Sequence, residues 1–173
     1  MTGRSMESPA DWLERHAALL PTAGRALDVA CGRGRNALWL AARGLTVDAL
    51  DRDAGAIAAL QAAASADGLV VHARVADLES GSPDIPSRAY DVVVVTNYLH
   101  RPLFPALVAA LNPSGLLIYE TFTRAQALRG KPSNPAFLLE PGELRRLVAP
   151  LEVVAEREGA FEGRDISAVV ARR

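Results

Sequence analysis

The sequence predicts an α/β fold: one doubly wound sheet of seven strands, mostly parallel and closed by an antiparallel hairpin. Three observations predict it. Short β-branched runs alternate with alanine-rich helical segments from residue 25 to residue 122. The fourth run, "YDVVVV", is continuously apolar, as a strand buried on both faces must be. The last two runs face each other across a four-residue turn.

The elements follow in order. "SPADWLERHAALL" reads as a helix with Ser8 as cap and Pro9 at its first position. Trp12, Leu13, His16, Leu19 and Leu20 recur on one face of it. "RALDVA" is the first strand and "RNALWLAARG" a helix stopped by Gly44. "LTVDAL" is the second strand, and Asp53 caps the helix that Gly68 ends. "LVVHARV" is the third strand. "ESGSPDIPSR" is a loop, and "YDVVVV" is the fourth strand. "RPLFPALVAALNPSG" forms a helix and a stop before the strand "LLIYETF". "TRAQALRGKPSNPAFLLE" is a long irregular segment and "PGELRRLVAP" a short helix. "LEVVAEREG" and "DISAVVARR" make the terminal hairpin across "AFEG". Right-handed crossovers then put a ligand at the carboxyl ends of the strands, between the first strand and "YDVVVV".

The bulk numbers agree with one domain, taken as residues 1–173. Half of the 173 residues are hydrophobic, enough for a core. A chain of this size buries roughly 70% of the surface its unfolded form exposes. The net charge of −1 offers no field to draw in nucleic acid. A single cysteine, Cys31, excludes an internal disulfide and a cysteine-based zinc site, and points to a reducing cytoplasm. Neither a signal peptide nor a membrane span is expected from the apolar runs, and no metal ligand cluster is visible.

"LDVACGRGRN" carries the chemistry. Gly32, Gly34 and Ala37 fit G-x-G-x-x-[GA], and Asp51 lies nineteen residues after Gly32. That spacing suits a dinucleotide as well as other nucleosides. Glycines let the backbone approach the ligand, and an acid at the second strand end accepts hydrogen bonds from ribose hydroxyls. Asp28 favours one cofactor over the other. A pyrophosphate at the helix N-terminus would be repelled by this carboxylate by up to ~4 kcal/mol at ~4 Å. S-adenosylmethionine carries no phosphate, and its ammonium and sulfonium suit an acid.

With these residues in view, the chain resembles the class I S-adenosylmethionine-dependent methyltransferases, whose Rossmann-like fold has this strand pattern. "LDVACGRG" resembles their first motif, with Ala30 replacing its first glycine at little expected cost. "VDALDRD" resembles the second and puts Asp51 on the ribose with Arg52 beside it. "VADLES" resembles the next, putting Asp77 on the adenine amino group and the Leu78 amide near the ring. "YDVVVVTNYLH" resembles the fourth-strand motif, whose end lies beside the methionine part. "CGRGRNALWLAARG" and "ESPADWLERHAALLP" are similar to the tellurite-resistance-type branch of small bacterial enzymes.

The resemblance implies a cofactor set of Asp28, Ala30, Gly32, Gly34, Asn36, Asp51, Arg52, Asp77, Leu78 and Asn97, with S-adenosylmethionine as the methyl donor. Asn36 would bond the methionine carboxylate; local capping is its other reading. His100 and Tyr98 stand at the strand end where the methyl should point and are the catalytic candidates. Glu120, Thr121 and Arg124 follow the fifth strand, next to the site. Residues 1–21 read as an N-terminal helical cap. Residues 121–140 read as a substrate lid, made basic by Arg124, Arg129 and Lys131, or else as a solvated charged loop. A small-molecule acceptor is the leading expectation, a soft or anionic nucleophile such as a chalcogen oxyanion or thiol. The alternatives are an RNA or protein acceptor, a non-catalytic cofactor-binding module and a nicotinamide oxidoreductase.

Overall fold

A computed structural model describes residues 7–81 and 84–173 of the chain. The expectations for residues 1–6 and for the middle of the loop at 82–83 lie outside the described residues. The strands are β1 (Arg25–Val29), β2 (Thr46–Asp51), β3 (Val71–Val75), β4 (Tyr90–Thr96), β5 (Leu111–Phe122), β6 (Glu152–Phe161) and β7 (Arg164–Arg172). They form one sheet in the order β3-β2-β1-β4-β5-β7-β6. The first five pair in parallel, and β7 runs antiparallel to both neighbours. Strand order reverses between β1 and β4, so the crevice expected there exists at the carboxyl ends of these two strands.

The α-helices are α1 (Asp11–Arg15), α2 (Arg35–Ala42), α3 (Ala54–Ala66), α4 (Phe104–Ala110) and α5 (Glu143–Leu147). Alternation along β4 explains how they are held. Val92 and Val94 face a core with Trp12, Leu13, Leu40 and Leu60, while Val93 and Val95 face one with Phe104, Leu107 and Tyr119. All four valines are fully buried, each worth roughly 1.5–3 kcal/mol.

Several local expectations meet tertiary structure. Asp53 caps α3 by accepting hydrogen bonds from the Gly55 and Ala56 amides at 2.8 and 3.0 Å. Glu162 and Gly163 both take positive φ, 48° and 77°, as a two-residue type I′ hairpin turn requires. The first helix is shorter than its periodicity predicts. It begins after Ala10, and Ala17–Leu19 continue as a 3-10 turn. Ser8 is not its cap, because the Ala10 N–H is drawn instead to the Asn36 side chain at 2.9 Å. His16 bonds the Trp12 carbonyl through Nδ1 at 2.8 Å and packs edge-on against that ring, which makes it a packing residue.

Candidate active site

The carboxyl ends of β1 to β5 surround a cavity of about 300 Å³. Ala30 comes from the end of β1, Asp51 and Arg52 from β2, and Ala76 to Glu79 from the turn after β3. Asn97, Tyr98 and Leu99 follow β4, and Thr121 and Phe122 end β5. Pro132 and Phe137 close it from the irregular segment.

The glycine loop is pinned by backbone and by Asp51. Cys31 N–H donates to the Leu50 carbonyl at 3.0 Å, and Gly34 N–H to the Cys31 carbonyl at 2.9 Å. The Asp51 carboxylate accepts from the Gly32 amide at 2.7 Å and from the Asp53 amide at 2.9 Å. Asp51 therefore holds the loop while facing the cavity. Gly34 takes φ 82°, and any Cβ there would collide with the Leu60 side chain. Ala30 is less benign than expected. Its φ of 53° lies in the left-handed region, which costs a non-glycine residue roughly 1–2 kcal/mol. The small methyl fits the cavity wall, but the backbone pays for it.

Asp28 behaves differently from the sequence expectation. It is 1% exposed, does not line the cavity, and accepts the Ala37 N–H at 3.0 Å. Burial pushes its carboxyl up to about 7, partly opposed by the Ala37 N–H and by Arg35. It sits behind the N-terminal turn of α2. Its bearing on the choice of cofactor survives in altered form, since an N–H that a pyrophosphate would use is already taken. Asn36 is likewise engaged within the fold. It is buried, with Oδ1 on the Ala10 amide and Nδ2 on the Thr96 hydroxyl at 3.1 Å, so its side chain braces α1 against β4.

Other expected site residues sit at the cavity. Asp77 is exposed there, and the Glu79 amide and Ser80 hydroxyl hold its carboxyl below the usual range. Leu78 is buried beneath it. Asn97 takes φ 57°, a conformation asparagine tolerates, and turns the chain after β4. Tyr98 follows. Its carbonyl accepts the hydroxyl of buried Tyr119 at 2.7 Å, and its own hydroxyl points to Glu79 Oε1 at 3.4 Å. Burial, then the Glu79 carboxylate, pushes the Tyr98 phenol up, so it stays protonated. His100 is half-buried at the start of a 3-10 turn and is not among the residues that line the cavity.

The segment after β5 also departs from expectation. Glu120 lies within β5 and faces away from the cavity. It is 2% exposed and paired with Arg157 at 2.8 Å and Arg164 at 3.4 Å. Strand parity explains this, because Thr121 then faces the cavity. Residues 124–139 are pinned at both ends, Leu139 N–H to the Phe122 carbonyl and Arg124 N–H to the Leu139 carbonyl. Two of the three cations of the expected lid are ion-paired, Arg124 with Glu140 at 2.7 Å and Arg129 with Asp165. Glu79, Phe122, Pro132 and Phe137 escaped sequence reasoning. Only the length of the irregular segment hinted at a wall there.

Comparison with known proteins places this geometry. The family model for the tellurite resistance protein TehB matches residues 12–118. None of the curated protein sequences matches the chain significantly. Solved structures do. TehB from Haemophilus influenzae superposes with a TM-score of 0.78 at 20% identity, covering 95% of this chain and 62% of that one. The chain thus spans less than two thirds of that protein's length. An S-adenosylmethionine-dependent methyltransferase from Mesorhizobium loti gives 0.75 at 17% identity, covering 95% and 99%. A geranyl diphosphate C-methyltransferase from Streptomyces coelicolor A3(2), solved with S-adenosyl-L-homocysteine, gives 0.75 at 15%, covering 95% and 79%. The sheet order, the strand-end cavity and a family match over more than half of the chain lead to one conclusion: the chain has the fold of the S-adenosylmethionine-dependent methyltransferases and belongs to the TehB family.

Proposed function

We propose that the chain binds S-adenosylmethionine in the strand-end cavity and methylates a small-molecule acceptor there. The observation that carries this reading is the pair of carboxylates, Asp51 and Asp77, at successive strand ends lining one cavity. The donor set fits a nucleoside without phosphates. Asp51 would accept from the ribose hydroxyls and Asp77 from the adenine amino group, with the Leu78 amide against the ring. Ala30, Gly32, Gly34 and Asn97 would shape the backbone around the methionine part. Bound there, S-adenosylmethionine supplies a methyl group on a cationic sulfur, open to in-line displacement.

The chain's own contribution is positioning, which can be worth roughly 7–11 kcal/mol. Tyr98, fixed from below by Tyr119, is the better placed of the two catalytic candidates, as a wall and hydrogen-bond donor. His100, off the cavity lining, would act only through that wall. The segment pinned over the cavity by the Phe122–Leu139 and Leu139–Arg124 backbone bonds supports a small acceptor over a macromolecular one.

Calorimetry with S-adenosylhomocysteine and NADH tests the cofactor. Homocysteine-derivative binding without NADH binding is expected, and the reverse would return the nicotinamide reading. Tritiated donor in lysate then tests the acceptor class. Label should enter the small-molecule fraction. Label in RNA or protein would shift the assignment to a macromolecule, and tight binding with no transfer at all would make the chain a cofactor-binding module.

A further inference from the structure

Asn36 joins three segments that lie far apart in the sequence. It is 3% exposed. Its Oδ1 accepts the Ala10 N–H at 2.9 Å, at the entry to α1. Its Nδ2 donates to the hydroxyl of Thr96, the last residue of β4, at 3.1 Å. Asn36 is itself the second residue of α2, two residues after Gly34 of the glycine loop. Thr96 is followed by Asn97, which lines the cavity with φ 57° and donates its N–H to the Glu120 carbonyl at 2.9 Å. Asn36 is not among the residues that line the cavity, yet it is bonded one residue away from one that does. A buried amide or hydroxyl left unpaired is costly. The Ala10 and Thr96 bonds are therefore both kept only while α1, α2 and β4 hold one arrangement.

We infer that Asn36 is a positioning residue, coupling the entry of α1 at Ala10 to the shape of the cavity at Asn97. This rests on the methyl-donor reading above and goes beyond it. The cofactor, seated between the glycine loop and Asn97, restrains both anchors of the Asn36 side chain, one on α2 and one on β4. With both anchors still, the Ala10 bond opens less often. Linkage makes the effect mutual, so that a chain with this bond open holds the cofactor more weakly by the same factor. Arg157 on Asp11 at 3.2 Å and the buried Trp12 and Leu13 keep α1 in place when the bond is cut, so the opening is local.

The Ala10 amide is the reporter. Its hydrogen exchange is followed by NMR in the full chain, with and without saturating S-adenosylhomocysteine. In the wild type the ligand should slow this exchange about fivefold or more. Thr96→Val removes the β4 anchor while keeping a branched side chain that suits a strand. Calorimetry should still detect the ligand on this variant, but the slowing at Ala10 should fall below about twofold. Thr96→Ser keeps the hydroxyl and should keep the slowing. Asn36→Ala should weaken S-adenosylhomocysteine about fivefold or more. A purely structural Asn36 would lower the unfolding midpoint of the variants and leave the ligand response at Ala10 intact in Thr96→Val. That result, or binding to the wild type with no slowing at Ala10, overturns the inference and spares the methyl-donor reading. A wild type that does not bind S-adenosylhomocysteine overturns the methyl-donor reading, and the coupling to this ligand with it.

Discussion

Arg101 binds the Glu143 carboxylate through Nε at 2.6 Å and Nη2 at 2.9 Å, and with the same fork reaches the carbonyls of Ala136 and Leu138 at 3.2 and 3.0 Å. Those carbonyls flank Phe137. One guanidinium thus ties the 3-10 turn after β4 to α5 and holds the segment around Phe137. The pairing keeps the Glu143 carboxyl below its usual range.

This clamp yields a prediction about the wall. Arg101→Ala removes the fork and leaves Glu143 without its partner, a loss of about 1–3 kcal/mol. Amide exchange across residues 134–139 should then quicken by roughly tenfold to a hundredfold. The glycine loop, held by Asp51 and β2, should keep its protection. Arg101→Lys should restore only part of the effect, because an ammonium cannot span four acceptors in one plane. Unchanged exchange in the alanine variant would mean the wall is held by its buried leucines alone.

Asp51 is expected to act twice, on the loop and on the cofactor. Asp51→Ala should weaken S-adenosylhomocysteine binding by about 1–3 kcal/mol, read by calorimetry. A ligand analogue without ribose hydroxyls separates the two roles. It should bind the wild type more weakly than the parent ligand does, yet bind the variant no worse than the parent. If the analogue and parent differ equally on both proteins, the ribose contact is absent and Asp51 serves only the Gly32 amide.

Asp28 predicts a dependence of stability on pH. Its carboxyl is raised from 3.8 to about 7 by burial. Between about pH 4 and 7 the folded chain therefore keeps a proton that the unfolded chain releases. More protons bound in the folded state means that stability falls as pH rises through this window. Each unit of difference is worth about 1.4 kcal/mol, and each kcal/mol moves the midpoint of a chain this size by about 2–4 °C. Thermal unfolding followed from pH 4 to 8 should show the wild type losing several degrees relative to Asp28→Asn, which has no proton to lose and still accepts the Ala37 N–H. Parallel profiles for the two proteins would place the pH dependence elsewhere.

Much of this was legible in the chain itself. Strand and helix alternation, the buried run of β4 and the acids at strand ends are local patterns, and the backbone's periods of 2 and 3.6 turn them directly into faces and ends. The positions of Asp51, Asp77 and Asn97 at one cavity follow from topology alone, since parallel strands bring their carboxyl ends together. Tertiary structure decided which partner each polar group found. Asn36 met Ala10 and Thr96, 26 and 60 residues away, and so became a brace. Glu120 fell on the face of β5 turned toward Arg157, a matter of strand parity that only the finished sheet sets. Two cations of the irregular segment, Arg124 and Arg129, met acids at Glu140 and Asp165. Arg101 found Glu143 forty-two residues on, and with it the wall around Phe137. For the buried groups among these, Asn36 and Glu120, the physical reason is the same. A buried polar group must be paired, and its partner is chosen by packing across the whole domain rather than by its neighbours in sequence.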